Sequence, residues 1–195
     1  AGKSTVMRVL LGMLEATSGS VMFDGKDISM LSTQDRIKHG LAFVPQTKNV
    51  FPSMTVEENL QMGGFIRQDD INQTIEEVYA LFPILYEKRK QLAEQLSGGQ
   101  RQQVAFGRAM MTKPSIMLLD EPTAGVSPIV MDEIFSNILD VKNAGMAVLM
   151  VEQNAQQALN IADKGYVLVS GRNEHTGTGK ELINNPEVRK KFLGG

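Results

Sequence analysis

The segment Ile116-Met117-Leu118-Leu119 followed by Asp120-Glu121 constrains the fold more than any other. Four apolar residues without polar alternation suit a strand buried on both faces. Such strands belong to parallel sheets covered by helices. Ala147 to Val151 is a second run of this kind. Between the two, Pro128 opens a helical stretch with Ile134, Ile138 and Val141 on one face. The order strand, helix, strand predicts an α/β fold built on a mostly parallel sheet flanked by helices. Ligands of such sheets gather at the carboxyl ends of the strands. Asp120 emerges at that edge and can hold Mg²⁺ directly or through water, while Glu121 points elsewhere and is free to polarise a water.

The rest of the chain extends this alternation. Leu41 to Val44 reads as a strand ending at Pro45-Gln46, preceded by a short helix over Asp35 to Gly40. Gly19 to Phe23 reads as a strand entering a hairpin turn at Asp24-Gly25. Thr55-Val56-Glu57-Glu58 is a capping box opening a helix toward Gly63-Gly64. A further helix follows Asp69-Asp70, with Ile71, Ile75, Val78 and Leu81 as its apolar stripe and Pro83 as its interruption. Residues 55–96 are therefore expected to be helical, inserted between two strand-bearing stretches. Ala155, Ala158, Leu159 and Ala162 mark another helix. Tyr166 to Val169, a turn at Gly171-Arg172-Asn173, and Glu174 to Thr178 form an expected terminal hairpin, and Pro186 to Phe192 a last short helix.

Two strings carry anion chemistry. Gly2-Lys3-Ser4 matches the end of a phosphate-binding loop, G-x-x-x-x-G-K-[ST], whose first glycine would lie upstream of Ala1. Val6, Val9, Leu10 and Met13 then share one helix face, with Gly12 as a weak point. A helix starting at this string aims unpaired N–H groups and a positive dipole end at an anion. Lys3 would face the β- and γ-phosphates, the Ser4 hydroxyl Mg²⁺, and Thr5 the α-phosphate. The second string is Leu96-Ser97-Gly98-Gly99-Gln100. Ser97 and Gln100 form a capping box. The two bare glycines add nothing to capping and are read as letting a phosphate approach the backbone. Composition closes other routes. Cys 0 removes disulfides and thiolate chemistry, and Trp 0 argues against a stacking platform for bases. A net charge of −2 provides no field for nucleic acid, and no run reaches the ~18 apolar residues of a membrane span.

With these strings in this order, the chain resembles an ABC-type ATPase over almost its whole length. Ala1 to Thr5 match the end of the Walker A loop, Gln46 the Q-loop glutamine, Leu96 to Gln100 the signature, Ile116 to Glu121 the Walker B strand, and Ala124 to Pro128 the D-loop. The resemblance implies a P-loop NTPase-type sheet with an inserted helical subdomain: a RecA-like core over 1–50 and 113–195, and a helical arm over 51–112. The resemblance also implies that the opening strands of the fold lie upstream of Ala1. It implies ATP and Mg²⁺ as cofactors, with Gly2, Lys3, Ser4, Thr5, Ser97, Gly98, Gly99 and Gln100 on the nucleotide, and Ser4, Gln46 and Asp120 around the metal. Glu121 is the implied general base, with Gln46 and Gln153 beside it. In this family the signature of one subunit covers the ATP held by the Walker A loop of the other, so a second ABC ATPase subunit is an implied partner. Separate transmembrane permease subunits and, indirectly, a substrate-binding protein are the others, with no nucleic acid. The implied location is the cytoplasmic face of the inner membrane, as a peripheral subunit.

Two departures stand out. Gln153 occupies the place of the switch histidine, and its amide can donate a hydrogen bond but carry no charge. Ser127 stands where many D-loops have Asp. Phe43 to Pro52, Met54 to Leu60, Val151 to Asn154 and the ending Phe192-Leu193-Gly194-Gly195 look like the ATPases of branched-chain amino acid importers. Urea importer ATPases are similar through the same stretches. A soluble ABC ATPase that never meets a membrane is the alternative class, and a non-hydrolysing nucleotide regulator a third, against which Glu121 argues. The expected permease groove lies near Val50 to Met62, with Phe51, Met54 and Leu60 as its apolar residues.

Overall fold

The computed structural model describes residues 2–193, so Ala1, Gly194 and Gly195 of the motifs above lie outside the described residues. In chain order the elements are α1 (Lys3–Leu10), the hairpin β1 (Met22–Phe23) and β2 (Lys26–Asp27), α2 (Thr33–Lys38), β3 (Leu41–Val44), α3 (Val56–Gly63), α4 (Asn72–Leu81), α5 (Pro83–Glu87), α6 (Gly98–Met110), β4 (Ile116–Asp120), α7 (Pro128–Asn143), β5 (Ala147–Val151), α8 (Ala155–Ile161), the hairpin β6 (Gly165–Val169) and β7 (Arg172–Gly177), α9 (Gly179–Asn184) and α10 (Pro186–Val188).

The central sheet is parallel, in the order β3-β4-β5. Met117, Leu118 and Leu119 on its middle strand are at most 1 % exposed, as an unbroken apolar run requires. The register pairs Val44 with Leu119, Leu119 with Met150 and Asp120 with Val151. All three strands thus end level, and the loops bearing Gln46, Glu121 and Gln153 leave from one edge. On one side Met7, Leu11, Ile28 and Leu41 pack with Leu118. On the other, Val44, Met117 and Leu119 join α7 and the helices α3 to α6 in one continuous core. Each large side chain so enclosed contributes roughly 1.5–3 kcal/mol of transfer free energy.

The structure corrects several sequence expectations. Helix α1 buries Met7 and Leu11, whereas Val6 and Met13 are exposed. The buried face runs through Met7, Leu10 and Leu11, about one residue round from the expected stripe, and Met13 lies beyond the helix end at Leu10. Gly12 is not a flaw inside that helix but its terminator. Its φ is +73°, and a Cβ there would meet the Arg36 guanidinium and the Leu31 carbonyl at 2.9 Å. The first strand shrinks to Met22–Phe23, although Asp24 and Gly25 do form the turn, both at positive φ. The last hairpin turns at Ser170-Gly171 rather than Gly171 to Asn173. Thr178 ends no strand. It is the N-cap of α9, reciprocally bonded to Glu181, and that helix was not foreseen.

Candidate functional site

A cleft of about 390 Å³ opens where α1 meets the sheet edge, lined by Gly2, Lys3, Ser4, Thr5, Glu121 and Gln153. Gly2, at φ +94°, precedes the first turn of α1, which has no side-chain cap and no acidic residue. Its N–H groups and dipole end therefore face the cleft without a protein anion to satisfy them. The Lys3 ammonium donates to the Glu152 carbonyl oxygen at 2.7 Å and lies 3.8 Å from Glu121 Oε1. Gln153 Nε2 donates to Glu121 Oε2 at 2.8 Å. One carboxylate is thus held between a cation and an amide, each from a different segment.

Glu121 has a backbone φ of +46°, a conformation uncommon for a residue with a side chain. It is held by its own N–H bonding to the Val151 carbonyl and by the Ala124 N–H bonding to its carbonyl. Asp120, one residue earlier, directs Oδ1 into a buried position without a hydrogen-bond partner. Burial, and then the neighbouring Glu121 charge, push its carboxyl above the usual range, with Arg8 and Lys3 opposing.

Not every expected residue joins this cleft. Gln46 is exposed on the loop after β3 and does not line it, and neither does Asp120. Ser97, Gly98, Gly99 and Gln100 sit apart at the start of α6. There the capping box is fully formed: Ser97 Oγ accepts from the Gln100 N–H at 3.2 Å, and the Gln100 side chain accepts from the Ser97 N–H at 3.1 Å. Gly98 is open. Gly99 is buried, and a Cβ on it would overlap the Glu133 carboxylate of α7. A side chain at Gly99 would therefore have to displace the exposed Glu133 carboxylate, whereas one at Gly98 would meet only Val130 at 3.9 Å.

Three functional neighbours escaped the sequence reading. Glu152, Thr123 and Asn154 form a hydrogen-bonded brace behind Glu121 and Gln153 and line a second cavity of about 290 Å³ that shares both residues. A signal for Glu152 did exist: like Asp120, it is an acid at the carboxyl end of an all-apolar strand. Asn59 is the other omission. It is fully buried, accepts from the Phe51 N–H and donates to the Phe51, Met54 and Thr55 carbonyls. It shapes the loop carrying Phe51 and Met54. Of the expected groove residues, Phe51 is 38 % exposed, whereas Leu60 is wholly in the core.

Residues 1–124 match the family model described as ABC transporter. The chain belongs to the ABC transporter ATP-binding family. As an ABC ATPase it binds and hydrolyses ATP on a P-loop NTPase-type α/β fold. It is 44 % identical to the high-affinity branched-chain amino acid transport ATP-binding protein BraG of Pseudomonas aeruginosa, over all of this chain and 84 % of that protein. It is 34 % identical to the lipopolysaccharide export system ATP-binding protein LptB of Haemophilus influenzae, over all of this chain and 82 % of that one. Among solved structures, the ADP conformation of an ATP-binding cassette of an ABC transporter superposes with a TM-score of 0.86 at 29 % identity, covering 99 % of this chain and 84 % of that one.

Proposed function

We propose that this ABC ATPase drives an importer of branched-chain amino acids, with the cleft between Lys3, Glu121 and Gln153 as the seat of hydrolysis. The hydrolytic seat is carried by the single carboxylate, Glu121, held between the Lys3 ammonium and the Gln153 amide at the open end of a parallel sheet, and the import reading by the 44 % identity to BraG. Lys3, Ser4, Thr5 and the free N–H groups of α1 take the phosphates. Glu121 accepts the proton of the attacking water, and Gln153 donates to the terminal phosphate, where its lack of charge gives less stabilisation than an imidazolium. The unpartnered Asp120 oxygen and the Ser4 hydroxyl suit Mg²⁺, a hard cation that takes few carboxylates and shares its shell with phosphate and water. When bound, the ion neutralises charge on the phosphates. Gln46 leaves the same sheet edge and completes that shell on closure.

The position of Ser97 and Gly98 outside the cleft supports a head-to-tail pair in which each signature serves the other copy's nucleotide. Residues 51–112 act as the arm that carries the signature, flanked by a core of 1–50 and 113–195. Among the described residues no helix is long and apolar enough to cross a membrane. Separate permease subunits therefore dock on Phe51 and Met54, placing this chain peripherally at the inner membrane, where a substrate-binding protein delivers cargo from the other side. The resemblance to LptB favours a second reading, a motor for lipid export.

Two measurements test these readings. Glu121→Gln is expected to lower kcat for ATP about 10²–10⁴-fold with nucleotide binding retained, and undiminished turnover would remove Glu121 as the base. ATP-dependent leucine uptake by vesicles carrying the assembled transporter supports import. A lipopolysaccharide transport defect with normal leucine uptake on loss of the chain supports export.

A further inference from the structure

The side chain of Glu152, the residue after β5, has no free capacity. Its Oε1 accepts from the Thr123 N–H at 2.9 Å and from the Thr123 hydroxyl at 2.7 Å. Its Oε2 accepts from the Gln153 N–H at 2.9 Å and the Asn154 N–H at 3.4 Å. Asn154 Nδ2 closes the ring by donating to Thr123 Oγ1 at 2.8 Å. The Glu152 backbone carbonyl also accepts from the Lys3 ammonium. One residue therefore ties together the start of α1, the loop after β4 and the loop after β5.

The chemistry of the brace is specific to a carboxylate. Four donors converge on two oxygens that each accept twice, and glutamine would offer one acceptor oxygen and set an NH₂ group against two N–H donors. Thr123 is 1 % exposed, so a truncated Glu152 leaves its N–H and hydroxyl facing the neighbouring cavity, where water can replace the carboxylate without fixing its geometry. Between Thr123 and the strand end lies Glu121 in its left-handed conformation. Pinning Thr123 on one side and the Gln153 N–H on the other fixes the span across which Gln153 Nε2 reaches Glu121. Without the brace Thr123 and the Gln153 N–H lose their common anchor, and the Glu121 carboxylate and the Gln153 amide no longer keep a fixed separation.

We infer that Glu152 is a positioning residue for hydrolysis, a carboxylate clamp that holds the base Glu121 and the amide of Gln153 at their working separation. The inference rests on the roles proposed above for those two residues. The Glu152 side chain is spent on Thr123, Gln153 and Asn154, and Glu152 does not line the cleft, so it acts on turnover rather than on binding.

The test is Mg-ATP hydrolysis by the full chain with its partner subunits, in the single variants Glu152→Ala, Glu152→Gln and Gln153→Ala and the double variant. Glu152→Ala is expected to lower kcat about 10–100-fold, as removal of an orienting partner typically does, with KM for ATP changed less than about threefold. Glu152→Gln keeps the Thr123 contacts and falls between. Glu152→Ala added to Gln153→Ala is expected to cost clearly less than it does alone, because one of the two groups it positions is already gone while Glu121 still loses its support. If Glu152→Ala does not fold, as judged by its melting curve, Glu152→Gln decides by the same split. Wild-type kcat in Glu152→Gln, a rise in KM that accounts for the loss, or full additivity with Gln153→Ala overturns the clamp. An inactive wild type would instead overturn the proposed hydrolytic site.

Discussion

At the scale of single residues, Asp120 sets catalysis against stability. Its Oδ1 is buried without a partner, and burial with the adjacent Glu121 raises its carboxyl above the ordinary value of 3.8. A carboxyl whose folded pKa exceeds its unfolded one binds more protons when folded, so its penalty is full at neutral pH and disappears as pH falls through the raised value. Asp120→Asn should therefore melt about 2–4 °C above the wild type at pH 7 without nucleotide, the shift that ~1 kcal/mol gives in a chain of this size. The gap should close as the pH is lowered. Mg-ATP turnover by the same variant should be lost. A variant that melts below the wild type at neutral pH would mean that Asp120 has a stabilising partner in solution.

At the scale of elements, the position of α1 depends on Arg36, a buried guanidinium bonded to no carboxylate. Its NH1 donates to the Val9 and Leu10 carbonyls, which end α1, while NH2 and Nε donate to the Ser29 and Leu31 carbonyls. A cation at a helix C-terminus also complements the dipole whose opposite end faces the cleft. Arg36→Met should cost about 2–4 kcal/mol, because the partly buried carbonyls of Leu10, Ser29 and Leu31 lose their donor while Val9 keeps only the Gly12 N–H, and Arg36→Lys should recover less than half, because an ammonium cannot span the fork. Equilibrium urea unfolding measures both. The elements themselves were largely legible: Leu41–Val44 and Ala147–Val151 were read to the residue because apolar runs bounded by turn residues have one solution. The structure brings Lys3, Glu121 and Gln153 to one cleft: Lys3 and Glu121 were marked locally, by a glycine-led helix start and an acid at a strand end, and Gln153 by the resemblance to the family. Arg36, Asn59 and Thr123 were not, because each acts through carbonyls or a carboxylate distant in sequence, and an isolated polar residue among apolar ones carries no such mark. The end of α1 was misread for a related reason: it is fixed by Gly12 against Arg36, a contact across 24 residues.

At the scale of the whole molecule, the proposed function gives half of each anion site to the cleft and half to the start of α6, whose residues do not line that cleft within one chain. Lys3→Ala removes the ammonium that faces the phosphates. Ser97→Arg removes the cap of α6 and blocks the exposed approach at Gly98. If each site is assembled from two copies, both variants should be inactive alone, yet a mixture should recover activity. A mixed dimer pairs the intact cleft of the Ser97→Arg copy with the intact signature of the Lys3→Ala copy, leaving one working site. Random exchange at equal amounts makes half the dimers mixed, each with half its sites, so about a quarter of wild-type turnover should return if the sites act independently. Recovery should follow the rate of subunit exchange and vanish on dilution below the dimer dissociation constant. A mixture that stays as inactive as its parts, under conditions where wild-type dimers exchange, would mean that Lys3 and Ser97 do not share a nucleotide across the interface.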